Sequence, residues 1–414
     1  MWIFKAGVIG GGFMGAEIAQ VITYAGLPVV VKDIDQGQLD LARKTVEGIY
    51  QRRVDKGKMT PAQMQEKLDL IEYTLDYDEF SDVDIVIEAV PEVMKIKQQV
   101  YKELDEVCPP DTIFASNTSA LSITEMGSVT GRPHRMIGMH FFSPAHVMKL
   151  VEVIPSPETD QDTVDTVEQF TQELRKIPVI VKECPGFLVN RLLLPYLNEA
   201  TLALEEGAAT AQEIDEAMGR DGFGWPMGPF FLMDMIGLDV CYHTGENILP
   251  YDPKPYLEPK LFPKLMEAKR YGEKAGAGFY IYTKTDATPL ETIIQQLQES
   301  GQVQTGTRFC VDRLMMPFVN EAARCAAEEI ANVNDIDMAC IAGIGMQVNK
   351  DGQLVRMGPL EYMDEVGLDV IVEKMEALEK ELGPRFHPVD ILYQKVRAGE
   401  LGKKTGRGFM EWTT

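Results

Sequence analysis

The chain has 414 residues, enough for two or three domains, and its 45% apolar content is that of ordinary globular proteins. A formal net charge of −24 argues against a non-specific binder of nucleic acid or of anionic membrane, so an anionic ligand needs a local basic patch. The six cysteines (Cys108, Cys184, Cys241, Cys310, Cys325 and Cys340) form no C-x-x-C pair, sit in apolar runs and read as buried free thiols of a reducing cytoplasm. The five histidines lack metal-ligand spacing, so no metal is expected. Residues 2–9 run straight into a glycine loop rather than a cleavage site, and no run of about 20 apolar residues occurs. Neither a signal peptide nor a membrane span is therefore expected, and the chain reads as cytoplasmic.

Ala6–Ile9 is a short apolar strand, followed by Gly10-Gly11-Gly12-Phe13-Met14-Gly15 and then a helical spacing of Ile18, Val21, Ile22 and Ala25. Gly26 suits a helix C-cap. Pro28–Lys32 is a second strand, ended by Asp33. Strand, G-x-G-x-x-G, helix, strand and acid in this order form the dinucleotide-binding pattern. Gly10 permits the tight turn, Gly12 admits a pyrophosphate to the backbone, and Gly15 lets helix and strand pack closely, with the helix N-terminus facing the phosphates. Asp33 suits two ribose hydroxyls and repels a 2′-phosphate, which favours NAD over NADP. Lys32 is expected on the opposite face of that strand.

Residues 39–71 read as helical and polar. Within 43–58, Arg43, Lys44, Arg52, Arg53, Lys56 and Lys58 stand against Glu47 and Asp55. They are either a solvated helix face or a site for a polyphosphate. Asp84–Ala89 is a buried strand, left by Val90-Pro91-Glu92, and Val93–Val107 is a helix. Thr112–Ala115 is another strand, ending in Ser116-Asn117-Thr118-Ser119. Strand C-termini are where open α/β sheets place ligands, so these small polar residues either cap the next helix or bond a substrate oxygen.

Met136–His140 and Lys149–Ile154 read as two short strands joined by a Ser-Pro turn. His140 ends the first and Glu152, framed by Val151 and Val153, lies in the second. Hydride transfer to a dinucleotide needs a base for the proton that leaves the substrate with it. A neutral His is the best-poised base near pH 7, and a carboxylate on its far nitrogen fixes the tautomer and stabilises the imidazolium. Alone, His140 would read as structural and Glu152 as a surface charge; together, beside a dinucleotide fold, they read as catalytic. The other four histidines read as structural or surface.

From Pro185 the pattern turns helical and repeats. F187-LVNRLLLPYLNEA resembles F309-CVDRLMMPFVNEA at an offset of 122, and M227-GP…GLDV and K274-AGAGFY recur at an offset of 130. The difference falls between Ile341 and Val355 as a loop insertion in the second copy. Residues 283–305, polar with one short helix, read as the connector. Asn190 in the first copy is Asp312 in the second.

With GGGFMG, IEAVPE, SNTSAL, GMHFFSPAHVMKLVEVI and CPGFLVNR in this order, the chain resembles the L-3-hydroxyacyl-CoA dehydrogenase family over nearly its whole length. Its duplicated C-terminal domain is similar to the dehydrogenase part of multifunctional fatty-acid oxidation enzymes. The resemblance implies an α/β Rossmann-type NAD-binding domain over residues 1–184. Two all-α domains of the 6-phosphogluconate dehydrogenase C-terminal type would follow, at 185–283 and 306–414, joined by 284–305. It implies His140 as general base, Glu152 as its partner, and Ser119 and Asn190 as polar groups around the reacting oxygen. Gly10, Gly12, Phe13, Met14, Gly15, Asp33, Ala89, Val90, Glu92, Lys97 and Asn117 would line the NAD site. Ser143, where many single-copy members carry Asn, would face the nicotinamide side. Arg52, Lys56 and Lys58 are the residues expected on the phosphates of an acyl-CoA substrate. In single-copy relatives the helical domains pair between chains, so a monomer with an intrachain pseudo-dimer, or a homodimer, is expected. Competing readings are a dehydrogenase of a free hydroxy or sugar acid, and a non-catalytic NAD-sensing or structural protein.

Overall fold

A computed structural model describes residues 1–249, 257–284 and 286–412. The chain divides into two compact units, Met1–Phe187 and Leu188–Thr414.

The first unit holds strands β1 (Ala6–Ile9), β2 (Val29–Lys32), β3 (Ile71–Thr74), β4 (Ile85–Glu88), β5 (Ile113–Ser116), β6 (Met136–Phe141), β7 (Leu150–Pro155) and β8 (Ile177–Ile180). They form one sheet in the order β3-β2-β1-β4-β5-β6-β7-β8. All neighbours pair in parallel except β6 with β7. The helices are α1 (Phe13–Ala25), α2 (Gln36–Asp55), α3 (Pro61–Leu68), α4 (Met94–Val107), α5 (Ile123–Gly127) and α6 (Gln161–Glu173). The central strands are buried throughout, as continuous Val/Ile runs require when both faces are covered. A Cβ on Gly15 would stand 1.8 Å from the Gly10 carbonyl oxygen, so only glycine lets α1 approach β1 this closely. Lys32 is 5% exposed, with its ammonium 4.1 Å from the centroid of the Tyr77 ring.

The second unit contains both helical copies. The first comprises α7 (Val189–Glu205), α8 (Ala211–Met218), α9 (Pro229–Ile236), α10 (Leu238–Ile248) and α11 (Leu261–Glu267). The connector carries α12 (Leu290–Glu299), which buries Leu290, Ile293 and Leu297. The second copy comprises α13 (Val311–Ala327), α14 (Val333–Gly343), α15 (Pro359–Val366), α16 (Leu368–Leu382) and α17 (Asp390–Arg397). The insertion expected as a loop is instead a two-stranded hairpin, β9 (Gln347–Lys350) with β10 (Gln353–Arg356). It fastens to the first copy where Asn349 N–H donates to the Phe223 carbonyl at 2.7 Å. Cys310, expected to be buried, is exposed because it stands at the N-cap of α13 rather than inside the helix. No described helix is long and apolar enough to cross a membrane.

The repeat extends to buried polar detail. Asp215 accepts the Phe230 and Phe231 N–H groups at the start of α9, and Asp337 does the same for Leu360 and Glu361 at the start of α15. Between the copies, α7 lies against α13. Arg191 Nε meets Glu321 at 2.7 Å, and its equivalent Arg313 meets Glu199, the equivalent of Glu321, also at 2.7 Å. The outer pairs match as well, Arg191 with Glu328 at 2.6 Å and Arg313 with Glu206 at 2.8 Å. Each copy thus gives the other what it receives, the signature of a two-fold contact built within one chain.

One buried group breaks the repeat. Glu205, replaced by Ala327 in the second copy, is 2% exposed and accepts the Leu261 N–H at 2.8 Å. Burial pushes its carboxyl from an ordinary 4.5 up to about 7, against the pull of the Leu261 and Lys260 N–H groups. Because the folded value is raised, the stability carried by protonated Glu205 is complete below about pH 4.5 and is lost as pH rises towards 7. Glu205→Gln keeps an acceptor for Leu261 and cannot ionise. Its melting temperature, relative to the wild type, should therefore rise between pH 5 and pH 8, the full effect being of order 3 kcal/mol. Melts at the two pH values that differ by the same amount would contradict this.

Candidate active site

β1, β4, β5 and β6 run in parallel, so their C-terminal ends share one edge of the sheet. Gly10, Asp33, Ala89–Glu92, Asn117–Ser119 and His140 all lie at or just past strand ends on that edge. This is where doubly wound sheets bind ligands.

Gly10 adopts φ 103°, and a Cβ there would stand 2.6 Å from the Ala89 carbonyl oxygen. Gly12 differs: nothing lies within 4 Å of the Cβ it lacks. It is the N-cap of α1 and supplies no side-chain cap, so the first N–H groups of the helix face outward above an open backbone. That is the cradle a pyrophosphate requires. Asp33 accepts the Gly11 N–H at 2.7 Å through Oδ2 and the Ile34 N–H at 2.7 Å through Oδ1, which holds its carboxylate beside the glycine loop. Phe13 is exposed and Met14 half-buried on the first turn of α1. These residues fit a dinucleotide.

A buried ion cluster shapes the neighbouring loops. Lys97, 1% exposed on α4, meets Glu88 at 2.7 Å and Glu92 at 3.2 Å. Glu88 is fully buried at the end of β4 and also accepts the Ser116 hydroxyl at 2.6 Å and the Val90 N–H at 2.7 Å. Glu92 accepts the Thr118 hydroxyl at 2.5 Å and the Ser119 N–H at 3.0 Å. Burial alone would raise Glu92. Lys97 and the Thr118 and Ser119 donors outweigh it and hold the carboxyl below its ordinary value. Glu92 and Lys97, expected to line the cofactor site, therefore also set the loop that presents Ser119, which is half-buried. Glu88 was not foreseen; its one signal is a carboxylate ending an otherwise apolar strand.

His140 and Glu152 are direct cross-strand partners in the β6–β7 pair. His140 Nδ1 lies 2.6 Å from Glu152 Oε2; the imidazole is 6% exposed and the carboxylate fully buried. An ionised carboxylate only accepts, so Nδ1 carries the proton and Nε2 the lone pair. The imidazole is flanked by the Phe142 and Phe187 rings at 4.6 and 6.0 Å. Asn117, at the end of β5, accepts the Phe141 N–H at 2.9 Å and so ties the β5 and β6 ends together. Ser143 is exposed in the turn after β6.

The remaining candidates belong to other elements. Asn190 is half-buried at the second position of α7, in the second unit, while its counterpart Asp312 is ion-paired with Lys374 at 2.9 Å. Arg52, Lys56 and Lys58 are exposed at the C-terminal end of α2 and the turn beyond. The 20 residues of α2 carry them roughly 30 Å from Asp33. Arg43 and Arg53, in the same basic run, are stacked on Tyr73 and Tyr24. Among the described residues no group of three or more His, Cys, Asp or Glu is arranged to hold a metal ion.

Comparison with known proteins shows the family of the chain. The chain is 38% identical over 410 residues to a fatty acid oxidation complex subunit alpha of a Psychrobacter species, covering 96% of this chain and 56% of that protein. It spans about half the length of the curated relatives it matches. It is similar to the crystal structure of 3-hydroxybutyryl-CoA dehydrogenase from Escherichia coli K12, with TM-score 0.84, 27% identity, and coverage of 96% of this chain and 99% of that one. It is also similar to (S)-3-hydroxybutyryl-CoA dehydrogenase from Ralstonia eutropha, with TM-score 0.65, 40% identity, and coverage of 68% and 100%. The model of the 3-hydroxyacyl-CoA dehydrogenase NAD-binding domain matches residues 5–184, and that of the C-terminal domain matches twice, at 186–282 and 309–412. With its NAD-binding domain and both helical copies matched, the chain belongs to the 3-hydroxyacyl-CoA dehydrogenase family.

Proposed function

We propose that the chain catalyses the NAD-dependent oxidation of L-3-hydroxyacyl-CoA to 3-ketoacyl-CoA, and the reverse, in fatty-acid β-oxidation or short-chain acyl-CoA metabolism. The observation that carries this is the 2.6 Å contact between His140 and buried Glu152 at the cofactor edge of the sheet. NAD, when bound, supplies the hydride acceptor. His140 Nε2 takes the proton of the 3-hydroxyl, and Glu152 holds the ring in the needed tautomer and balances the imidazolium charge. Ser119 and Asn190 donate hydrogen bonds to the substrate oxygen as it becomes a carbonyl. Gly10, Gly12, Phe13, Met14, Gly15, Asp33, Ala89, Val90, Glu92, Lys97, Asn117 and Ser143 form the NAD site. The discriminating experiment is NADH oxidation with acetoacetyl-CoA and longer 3-ketoacyl-CoAs measured side by side. Turnover of free 3-keto acids but not of the CoA esters would favour a hydroxy-acid dehydrogenase instead.

Asp33 underlies the preference for NAD. Asp33→Ser should raise KM for NAD and narrow the gap to NADP, because the ribose acceptor and the charge that repels a 2′-phosphate go together. A wild type that uses both cofactors equally would contradict this role.

Arg52, Lys56 and Lys58 are proposed to meet the CoA phosphates. Reversing the charges of Lys56 and Lys58 together should raise KM for acyl-CoA several-fold and weaken its salt dependence. NADH affinity should stay as it was, since α2 separates the cluster from Asp33. An unchanged KM would leave the cluster as a solvated helix end.

We further propose that the second helical copy is structural, covering the face of the first that pairs between chains in single-copy relatives. The chain would then be a monomer with one active site, or a homodimer through another contact. Association with further β-oxidation enzymes is suggested by the relatives, which are named as subunits of a fatty acid oxidation complex.

A further inference from the structure

The turn between β6 and β7 leaves the sheet just past His140 and carries Ser143. Two buried side chains of opposite charge close on one of its residues, Ala145. Glu17, 2% exposed in the second turn of α1, accepts the Ala145 N–H through Oε2 and meets His146 Nδ1 at 3.0 Å through Oε1. Lys176, 8% exposed just ahead of β8, donates to the Ala145 carbonyl and, at 2.6 Å, to the Met148 carbonyl. Burial, with the nearby Lys149, lowers the Lys176 ammonium to about 8, while Glu17 pulls the other way.

Neither charge has a part in the chemistry derived above, and burying an ammonium and a carboxylate is costly unless both are well bonded. The turn already has backbone bonds of its own, from the Val147 and Met148 N–H groups to the Pro144 carbonyl at 2.9 Å each. What the two charges add is a mechanical connection. Through Glu17 the turn is fastened to α1, the helix whose N-terminus forms the phosphate cradle. Through Lys176 it is fastened to the segment entering β8, which pairs with the strand of Glu152.

We propose that Glu17 and Lys176 are positioning residues that lock the β6–β7 turn, and with it the strand end bearing His140, to the cofactor-binding helix. This rests on the dehydrogenase reading. Displacing a catalytic group by about 1 Å costs up to roughly 100-fold in rate without loosening substrate binding. Glu17→Ala should therefore lower kcat by about tenfold or more, with KM for the 3-hydroxyacyl-CoA within about twofold of the wild type. The kcat isotope effect with substrate deuterated at C3 should rise, because hydride transfer becomes more fully rate-limiting. Hydrogen exchange in the 141–148 segment should accelerate.

Glu17→Gln keeps an oxygen for the Ala145 N–H and should restore most of kcat. Lys176→Met should behave as Glu17→Ala does, and His146→Ala, which loses only the outer contact, as the wild type does. A residue that merely stabilised the fold would lower the melting temperature while leaving kcat and the isotope effect as they are. A folded Glu17→Ala protein with wild-type kcat and isotope effect overturns the proposal. Where Glu17→Ala does not fold, Glu17→Asp, which withdraws the carboxylate by one methylene, carries the same test. A wild type without 3-hydroxyacyl-CoA turnover overturns the dehydrogenase reading and this proposal with it, whereas an active wild type with unaffected variants overturns the proposal alone.

Discussion

His140→Gln is expected to lower kcat by about three orders of magnitude, within the roughly 10²–10⁴ contributed by a positioned proton acceptor. The amide is close in size to imidazole but has no basic nitrogen. Binding of NADH should persist, because the glycine loop and Asp33 form their contacts without the imidazole. Glu152→Gln should also lower kcat strongly and leave KM nearly unchanged. Its carboxylate matters most when the imidazolium forms, so its removal acts on the transition state rather than on the bound substrate. The neutral amide also lets Nδ1 act as an acceptor, which admits the tautomer with the proton on Nε2, where the substrate hydroxyl has nothing to give it to. Steady-state kinetics with a 3-hydroxyacyl-CoA, together with NADH fluorescence titration, check both variants. A His140→Gln enzyme with near-normal kcat would remove the base from this mechanism.

Truncation after Tyr282 should convert the chain into a dimer. The cut removes Arg313 and Arg385, which between them hold Glu199 on α7 and Glu206 at its C-cap. Glu199 and Glu206 are 2% and 3% exposed in the intact chain, and the cut leaves both carboxylates without their arginines on a face opened to water. The same cut exposes the apolar residues of α7 that α13 covers. The exchange between Arg191–Glu321 and Arg313–Glu199 supplies the remedy. Each copy keeps its own Arg and its own Glu, so two truncated chains can pair α7 against α7, with Arg191 of one meeting Glu199 of the partner subunit. Adding Arg191→Glu to the truncated chain should abolish that dimer and leave an insoluble product. Light scattering after gel filtration decides the matter. A truncated chain that remains a soluble monomer with an unchanged melting temperature would show that the second copy covers nothing.

The sequence by itself determined the features whose causes are local. The glycine spacing at 10, 12 and 15 and the acid at 33 follow from one strand-turn-helix-strand unit, and six strands of the sheet fell within a residue or two of their expected places, whereas β3 and β8 were not expected. The His140–Glu152 pair was legible because only a short turn separates its two strands, and alternation along a strand fixes which side chains face each other. The repeat was legible because two copies at nearly constant offset imply the same fold twice. Only the tertiary structure decided the rest. The insertion near residue 350 became a hairpin because its backbone found a partner in the first copy at Phe223. Glu88 with Lys97, Glu17 with Lys176, and Arg313 with Glu199 come from different elements, and the second and third pairs from widely separated ones. In the sequence each is one charge among the 104 carried by Asp, Glu, Lys and Arg, 64 acidic and 40 basic. Which of those charges would be buried, and against what, is set by how helices and strands pack, and no periodicity along the chain records it.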